Sequence, residues 1–192
     1  NWKGREGEVT PVFVYSNYPT VELFINGKSQ GKHTKDKSVK IDGTDNDEGK
    51  TNLTRQKRYR HIWMDTKYEP GMVRAVAYDD NGNQMAEAEV VTAGKPHAIR
   101  LVNEECLDAY GNATNKMNRR GAPTLKAGTE DLAFVRVQVV DKNGYLCPDA
   151  ANEIQFEVKG AGKYRAGANG DPTCVELFHE PHMHVFSGQM TA

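Results

Sequence analysis

The chain has 192 residues, with 25 Lys and Arg against 26 Asp and Glu and a formal net charge of −1. This balance excludes the strongly basic surface that nucleic-acid binders use, and no apolar run approaches the ~18 residues that span a bilayer. A chain of this length accommodates one large or two small domains, and its first residue is not Met, so we expect a piece of a longer protein.

The first third of the chain reads as short strands followed by one long loop. Residues 9–18 are rich in Val, Phe and Tyr, which suit a half-buried pleated surface. Residues 21–25 and 28–33 flank Asn26-Gly27, the strongest short hairpin signal. Charged and polar residues dominate 34–57, which therefore indicates a surface loop that buries little apolar area.

Strand signals resume before the middle of the chain. Residues 58–65 alternate, which places two sets of side chains on opposite faces: Tyr59, His61 and Trp63 on one, and Arg60, Ile62 and Met64 on the other. Residues 72–78 and 84–93 form a second hairpin around the turn at 79–83. The segment Ala93-Gly94-Lys95-Pro96 then marks a boundary between two domains, 1–94 and 95–192.

The second half repeats this plan with fewer strands. Residues 103–131 lack periodicity and indicate a long connection, and Gln138 is expected to face outward from the central strand. The strand predictions are 97–102, 132–140, 154–158, 174–178 and 185–192. These are too few for a complete sandwich, so we expect the second domain to be truncated at its C-terminus, with an open sheet edge that invites pairing with a second copy of the chain.

A weak internal repeat supports two domains of one architecture. Residues 73–82 and 135–144 both place Val-Arg on a strand and Asp-x-Asn-Gly in the following turn. No segment of a dozen residues has a helical period, which argues against an α/β fold. The sequence therefore predicts an all-β chain made of two tandem immunoglobulin-like β-sandwiches.

Few residues form patterns that carry chemistry. His182, His184 and Glu180 are close in sequence and would be the candidates for a zinc site, but their spacing matches no common ligand pattern, and turn or edge-strand histidines explain them better. Asp79–Asn83 and Asp141–Asn143 superficially resemble calcium loops but lack the closing Glu, so tight turns explain them. We expect no cofactor.

Acidic, aromatic and sulfur groups give weaker signals. Glu104 and Glu105 are adjacent and do not have the separation of a glycosidase pair. The odd count of Cys106, Cys147 and Cys174 does not indicate a disulfide framework. Three aromatic residues are candidates either for sugar contact or for core and interdomain packing: Trp2, Tyr15 and Trp63.

The opening of the chain resembles a known family. Residues 1–7 and the hairpin VELFINGKSQG at 21–31 are similar to the segment that follows the catalytic barrel in glycoside hydrolase family 2 β-galactosidases of the gut-Bacteroides type. Residues 135–144, 167–173 and 184–188 resemble the last domain of those enzymes. The resemblance covers nearly the whole chain and implies immunoglobulin-like sandwich domains.

The same resemblance implies that this chain lacks the catalytic residues of the family. Enzymes of this family act with two Glu residues on the barrel, and neither has a counterpart here, so no catalytic residue is assigned. The resemblance implies a non-catalytic accessory region of a β-galactosidase that supports the barrel and the rim of its cleft. Its partners would be the barrel and other domains of the parent chain, and the location would be periplasmic or secreted.

Two alternatives stay open. A stand-alone carbohydrate-binding module would bind sugar through the aromatic residues, and an adhesin-type array of immunoglobulin-like domains would serve as a structural spacer. The residues that precede this chain in its parent protein distinguish the three hypotheses.

Overall fold

The computed structural model describes residues 1–36, 56, 58–104, 116–117, 123–124 and 132–192. These residues form thirteen β-strands and confirm the predicted all-β class. The chain divides into two compact units, Trp2–Thr92 and Ala93–Ala192, and Asn1 joins the second. Within the described ranges, no helix has the length and apolar character needed to cross a membrane. The immunoglobulin-like arrangement of the two units stays a prediction.

The strands follow in chain order and are short. The first unit contains β1 (Val12–Tyr15), β2 (Thr20–Ile25), β3 (Lys28–Thr34), β4 (Arg60–Trp63), β5 (Met72–Tyr78) and β6 (Gln84–Val91). The second unit contains β7 (Ala98–Asn103), β8 (Lys116–Met117), β9 (Pro123–Thr124), β10 (Val135–Val140), β11 (Glu153–Gln155), β12 (His182–His184) and β13 (Gln189–Thr191).

The predicted first hairpin is confirmed. Asn26 and Gly27 both have positive φ, 48° and 79°, which is the backbone of the tight turn that matches the twist of two antiparallel strands. On β2 the side chains alternate, so that Val21, Leu23 and Ile25 are buried while their neighbours are partly exposed. The turn residues and the hydrophobic alternation therefore specify the same strand register.

The first unit has two layers around one core. Its antiparallel sheet has the order β3-β2-β5-β6, and β1 pairs with β4 in a separate two-stranded ribbon. The core cluster consists of Val21, Leu23, Trp63 and Ala77, with Val12, Val14, Tyr18, Val73 and Ala75 packed against it. Residues from the ribbon and from the sheet thus bury each other's apolar faces.

Strand β4 differs from the sequence prediction. The predicted alternation holds for only part of it, because His61, Ile62 and Trp63 are all buried. Trp63 belongs to the core cluster, whereas Ile62 lines a cavity described below. The strand also begins at Arg60, since Arg58 and Tyr59 have helical backbone geometry.

The second unit is built around β10. Its sheets have the orders β13-β10-β7, β11-β12 and β8-β9. The core cluster consists of Ala93, Val137, Val139, Cys147, Ala150, Ile154, Met183, Val185 and Met190. Gln138, predicted to face outward, is buried, because Arg100 Nε donates a hydrogen bond of 2.9 Å to its Oε1 and Gln189 lies on its other side.

Among the described residues, strand β7 forms one edge of its sheet, and it is exposed along most of its length. Ile99 and Leu101 lie opposite Val139 and Val137 in the register, yet they are 56% and 66% exposed. The apolar face that is covered at β10 is therefore open at β7.

The C-terminal residues form a hairpin and not the single strand predicted over 185–192. Ser187 and Gly188 have φ values of 50° and 77°, and Phe186 bridges to Gln189 across them. Their backbone turns the chain back toward β13, which pairs with β10.

The strand predicted over 174–178 is wrong. The structure has bends and turns there, and Val175 is 92% exposed. The Glu176 carboxylate accepts a hydrogen bond from the backbone N–H of His184, so a side chain, and not strand pairing, fixes this segment.

Some of the predictions fall on residues that the structure does not describe. Most of the loop predicted at 34–57 and all of Cys106 lie outside the described residues. Most of the connection predicted at 103–131 does too, apart from its ends and the short strands β8 and β9.

Candidate functional site

The three aromatic candidates have different environments. Trp2 is 48% exposed, and its ring centroid lies 5.6 Å from that of Tyr68. Tyr15 is 68% exposed, with the Arg60 guanidinium 5.2 Å from its ring centroid. Trp63 is only 5% exposed and belongs to the core cluster. Packing therefore accounts for most of the Trp63 ring.

Tyr15 and Trp63 do not form one sugar-binding platform. The register pairs Val12 with Trp63 and Tyr15 with Arg60. Directly opposed residues share a face of an antiparallel pair, and residues three apart on a strand lie on opposite faces. The two aromatic side chains are consequently on opposite faces of the β1–β4 ribbon.

A cavity of about 410 Å³ lies beside Trp63 in the first unit. This volume falls within the range of about 300–1,000 Å³ that is usual for small-molecule sites. It is lined by Gln30 and His33 of β3 and by the segment Ile62, Trp63, Met64, Asp65 and Thr66. The lining therefore combines an apolar side with amide, imidazole, carboxylate and hydroxyl groups.

The buried part of this cavity is held in place by several contacts. The His33 and Trp63 rings are stacked, with centroids 4.5 Å apart and planes 15° apart. Thr66 Oγ1 donates to Thr10 O, and Thr10 N donates to Thr66 O over 2.7 Å. Because β4 also pairs with β1, the segment that carries Trp63 is fixed at both of its ends.

Two ring nitrogens of β4 are buried without a hydrogen-bond partner within the described ranges. Neither Trp63 Nε1 nor His61 Nε2 has a hydrogen-bond partner among the described residues. His61 is 1% exposed, and its Nδ1 lies 2.9 Å from His33 O. Burial lowers the pKa of His61 below its ordinary value, which favours a neutral imidazole.

Sequence reasoning selected Trp63 but missed the other residues of the cavity. Gln30 and His33 stand on the return strand of a hairpin, and Asp65 follows a strand about thirty residues later in the chain. No spacing rule joins these positions, so only the tertiary arrangement shows them together. The aromatic ring of Trp63 was the only part of this cavity that the sequence indicated as a candidate.

The histidine cluster is divided among separate partners. His182 and His184 do share the exposed face of β12, as the alternation predicted. However, His182 pairs with Glu153 at 3.2 Å, whereas Glu180 pairs with His179 at 3.5 Å. Within the described ranges, no group of three or more His, Cys, Asp and Glu side chains is placed to hold a metal ion.

His184 and Glu176 form the strongest of these pairs. Their Nδ1 and Oε1 atoms are 2.8 Å apart, and the Cys174 Sγ lies 3.6 Å from the other Glu176 oxygen. The hydrogen bond to Glu176 raises the pKa of His184, and the hydrogen bonds from His184 lower the pKa of Glu176. The pair fixes the segment around Glu176 to β12.

A pH dependence follows from these two shifts. The raised pKa of His184 gives stabilisation that is present below the unfolded value of 6.5 and is lost as the pH rises through the folded pKa. The lowered pKa of Glu176 gives stabilisation that is present above 4.5 and is lost as the pH falls through the folded pKa. We expect His184→Gln to lower the melting temperature most between these two pH values, and less at about pH 3 or pH 8.5.

Glu176→Gln provides the control for this prediction. It should remove the same pH dependence, and the double variant should add little to Glu176→Gln, because that change already breaks the pair with His184. The melting temperature of all four proteins is measured across the pH range. A constant difference between wild type and His184→Gln would contradict the assignment.

The two Asp-x-Asn-Gly turns have the same structure, as the repeat predicted. Asp79 Oδ1 accepts hydrogen bonds from Asn81 N and Asn83 N, and Asp141 Oδ1 accepts them from Asn143 N and Tyr145 N. The carboxylates thus satisfy backbone groups of their own turns.

Asp141 also holds a distant segment of the backbone. It is 3% exposed, and its Oδ2 accepts a hydrogen bond of 2.8 Å from Gly94 N. This bond is the first cause of the lowered pKa of Asp141. Asp141 therefore fixes the segment around Gly94, near the start of the second unit, to the turn after β10.

We expect Asp141→Asn to lower the melting temperature by several degrees, and more than Asp79→Asn does. The amide carries no charge and has one acceptor oxygen, so one of the charge-assisted bonds is lost. Asp79→Asn is the control, since the Asp79 Oδ2 accepts from the exposed side chain of Asn83 in its own turn, whereas the Asp141 Oδ2 accepts from the distant backbone of Gly94. Equal losses in calorimetry would show that the Gly94 contact contributes no more than this local one.

Two family models match the chain. Residues 7–86 match a domain of unknown function, DUF4982, and residues 117–192 match glycoside hydrolase family 2 C-terminal domain 5. The first match lies within the predicted domain 1–94, and the second within 95–192.

Curated relatives include named glycosidases. The chain is 34% identical over 190 residues to Beta-galactosidase BoGH2A of Bacteroides ovatus, a match that covers 98% of this chain and 18% of that protein. It is 30% identical over 168 residues to a putative beta-glucuronidase of Formosa agariphila, covering 88% of this chain and 13% of that protein.

Solved structures of glycosidases are also similar. A glycosyl hydrolase family 2 member from Bacteroides cellulosilyticus matches 100% of this chain and 21% of its own, with 25% identity and a TM-score of 0.71. A beta-glycosidase from Bacteroides vulgatus matches 99% of this chain and 20% of its own, with 26% identity and a TM-score of 0.67. The chain thus spans about a fifth or less of the length of each relative and structure named here.

Proposed function

The chain matches the C-terminal region of glycoside hydrolase family 2 enzymes, and from this premise we propose that it is a non-catalytic part of a β-galactosidase of that family. The observation that carries the proposal is one continuous similarity. It extends over 98% of this chain, yet it occupies only 18% of a relative named as a β-galactosidase. The remainder of such a parent protein would contain the catalytic barrel.

Three of the described glutamates have ion-pair partners within the chain. Glu104, one of the adjacent pair noted in the sequence, forms an ion pair with Arg136. Glu153 and Glu176 pair with histidines. A retaining glycosidase needs two carboxyl groups about 5–5.5 Å apart across the substrate, and we propose that the parent barrel supplies both of them. This chain would support the barrel and shape the rim of its cleft.

The test compares the parent protein with this chain alone. We expect the parent to hydrolyse a chromogenic β-galactoside and residues 1–192 alone to leave it intact. Deleting the region from the parent should lower its melting temperature or its yield of folded enzyme. Hydrolysis by the purified chain that is lost on changing one of its own acidic residues would overturn the accessory role.

A second candidate substrate has its own support, because two of the matched relatives are named beta-glucuronidases, one of them as putative. The parent protein is therefore assayed on a β-galactoside and a β-glucuronide side by side. The proposal requires the higher kcat/KM on the galactoside. A preference for the glucuronide would keep the accessory role and replace the substrate.

The resemblance also motivates a location for the parent enzyme. We propose that it lies in the periplasm or outside the cell, and cell fractionation with an antibody against this chain tests the location. A parent sequence without a barrel upstream of this region would instead favour the carbohydrate-binding module or the adhesin-type array.

A further inference from the structure

Two histidines on the exposed face of β12 each have one ring nitrogen held by a carboxylate. His182 and His184 are separated by the buried Met183, so their side chains project from the same face of the strand. The Nδ1 of His182 lies 3.2 Å from an oxygen of Glu153. The Nδ1 of His184 lies 2.8 Å from an oxygen of Glu176. Because an ionised carboxylate only accepts hydrogen bonds, both Nδ1 atoms carry a proton, and in the neutral rings both Nε2 atoms keep a lone pair.

The Nε2 atoms of these two rings are available to a ligand. Among the described residues, neither atom has a hydrogen-bond or ion-pair partner, because the contacts of both rings are made through Nδ1. The two histidine side chains are 47% and 55% exposed. They differ in this from His61, whose free Nε2 is buried and out of reach of solutes.

The charge around the two rings favours a cation. The ion-pair partners of Glu153 and Glu176 within the described ranges are histidines, and neither glutamate is neutralised there by a Lys or Arg. The hydrogen bond to Glu176 is the first cause of the raised pKa of His184, and the charge of Glu153 raises it further, so Glu153 acts on both rings. With neutral imidazoles the cluster carries two negative charges, which a divalent cation would balance.

We propose that His182 and His184 together bind a divalent transition-metal ion such as Zn²⁺ through their Nε2 atoms, with water at the remaining positions. Imidazole nitrogen is a preferred ligand of Zn²⁺, and a ligating histidine usually donates its other ring N–H to a carboxylate, which orients the ring and raises its basicity. Structural and catalytic zinc sites use three or four protein ligands, and no such group exists among the described residues. The ion should therefore bind reversibly to the folded chain, and this site does not depend on the accessory role proposed above.

Ring-nitrogen resonance spectra of the 192-residue chain measure the binding directly. The sequence contains six histidines, and His182→Gln and His184→Gln each remove one set of ring signals and so assign these two residues. At about pH 8, where a ligating imidazole is mostly neutral, added Zn²⁺ should move the Nε2 signals of both residues together until one ion is bound per chain. The dissociation constant should lie between the micromolar and millimolar ranges. Mg²⁺, which prefers oxygen ligands, should move neither signal.

Matched substitutions locate the binding. His182→Gln removes one of two ligands and should weaken Zn²⁺ binding by about tenfold or more. Glu153→Gln keeps both imidazoles but removes the charge beside His182, and it should weaken binding roughly tenfold. His179→Gln is the matched control, because His179 is also exposed and also lies beside a glutamate, Glu180, but stands outside β12. It should leave the affinity unchanged, and the same spectra show that each variant is folded.

Three results would overturn the proposal. One is the absence of any movement of the two Nε2 signals in excess Zn²⁺, and another is equal weakening by His182→Gln and His179→Gln. The third is loss of binding in Cys174→Ser, because the ion would then be held by the thiol that lies 3.6 Å from a Glu176 oxygen. Each result concerns this chain only, so it leaves the assays of the parent enzyme unaffected.

Discussion

Leu23→Ala is expected to lower the free energy of unfolding of the Trp2–Thr92 unit by about 2–5 kcal/mol, the usual range for a buried Leu replaced by Ala. Leu23 is 0% exposed and belongs to the core cluster with Val21, Trp63 and Ala77. Truncation removes apolar contacts and leaves a cavity between two layers that strand pairing holds apart. Denaturant unfolding followed by tryptophan fluorescence measures the loss, since both tryptophans lie in this unit.

Val90→Ala is the control for this substitution. It truncates an aliphatic side chain of the same unit at a position that is 72% exposed, so its effect should stay within about 0.5 kcal/mol. If both variants lost the same free energy, the core assigned to the first unit would be wrong.

Gly188→Ala is the second change for which we expect a large effect, about 2–5 kcal/mol in the Ala93–Ala192 unit. Gly188 has φ of 77°, and the left-handed backbone costs a residue with a side chain about 1–2 kcal/mol. An added Cβ would also lie 2.1 Å from the carbonyl oxygen of Cys147, and forcing backbone apart costs about 1–3 kcal/mol more. The turn cannot shift easily, because Gly188 N donates to Ala150 O and Gly188 O accepts from Val139 N.

Gly170→Ala separates the two contributions. Gly170 has nearly the same φ, 76°, but nothing lies within 4 Å of the position of an added Cβ. It should therefore lose only the conformational part, about 1–2 kcal/mol. Unfolding followed by circular dichroism compares the two variants, and equal losses would show that the close approach to Cys147 does not matter.

The sequence predicted best the features that a few adjacent residues determine. The hairpin at Asn26-Gly27 and the two Asp-x-Asn-Gly turns were predictable because positive φ and side-chain acceptors act within four residues. Alternation on β2 likewise reports a single buried face. The turn at Ser187-Gly188 carried a usable signal too, since Ser-Gly marks turns, although the surrounding apolar residues favoured one long strand.

Features that depend on distant residues were missed. Gln138 reads as an outward-facing residue, and it is buried because Arg100 and Gln189 arrive from two other strands. Val175 and its neighbours favour a strand by composition, but the Glu176 side chain holds that segment to β12. The cavity beside Trp63 combines residues from two strands far apart in the chain, and local patterns carry no information about that.

Two edge strands, β3 in the first unit and β7 in the second, differ in the side chains that they carry. This difference affects how the region behaves when it is produced alone. Strand β3, at one edge of the first sheet, presents polar and charged residues including Lys28 and Lys32, which discourage the addition of a foreign strand. Strand β7 presents Ile99 and Leu101 instead. We therefore expect aggregation of the isolated region at high concentration to begin at β7, and a lysine introduced at Leu101 to act as a gatekeeper that raises solubility with little effect on folding.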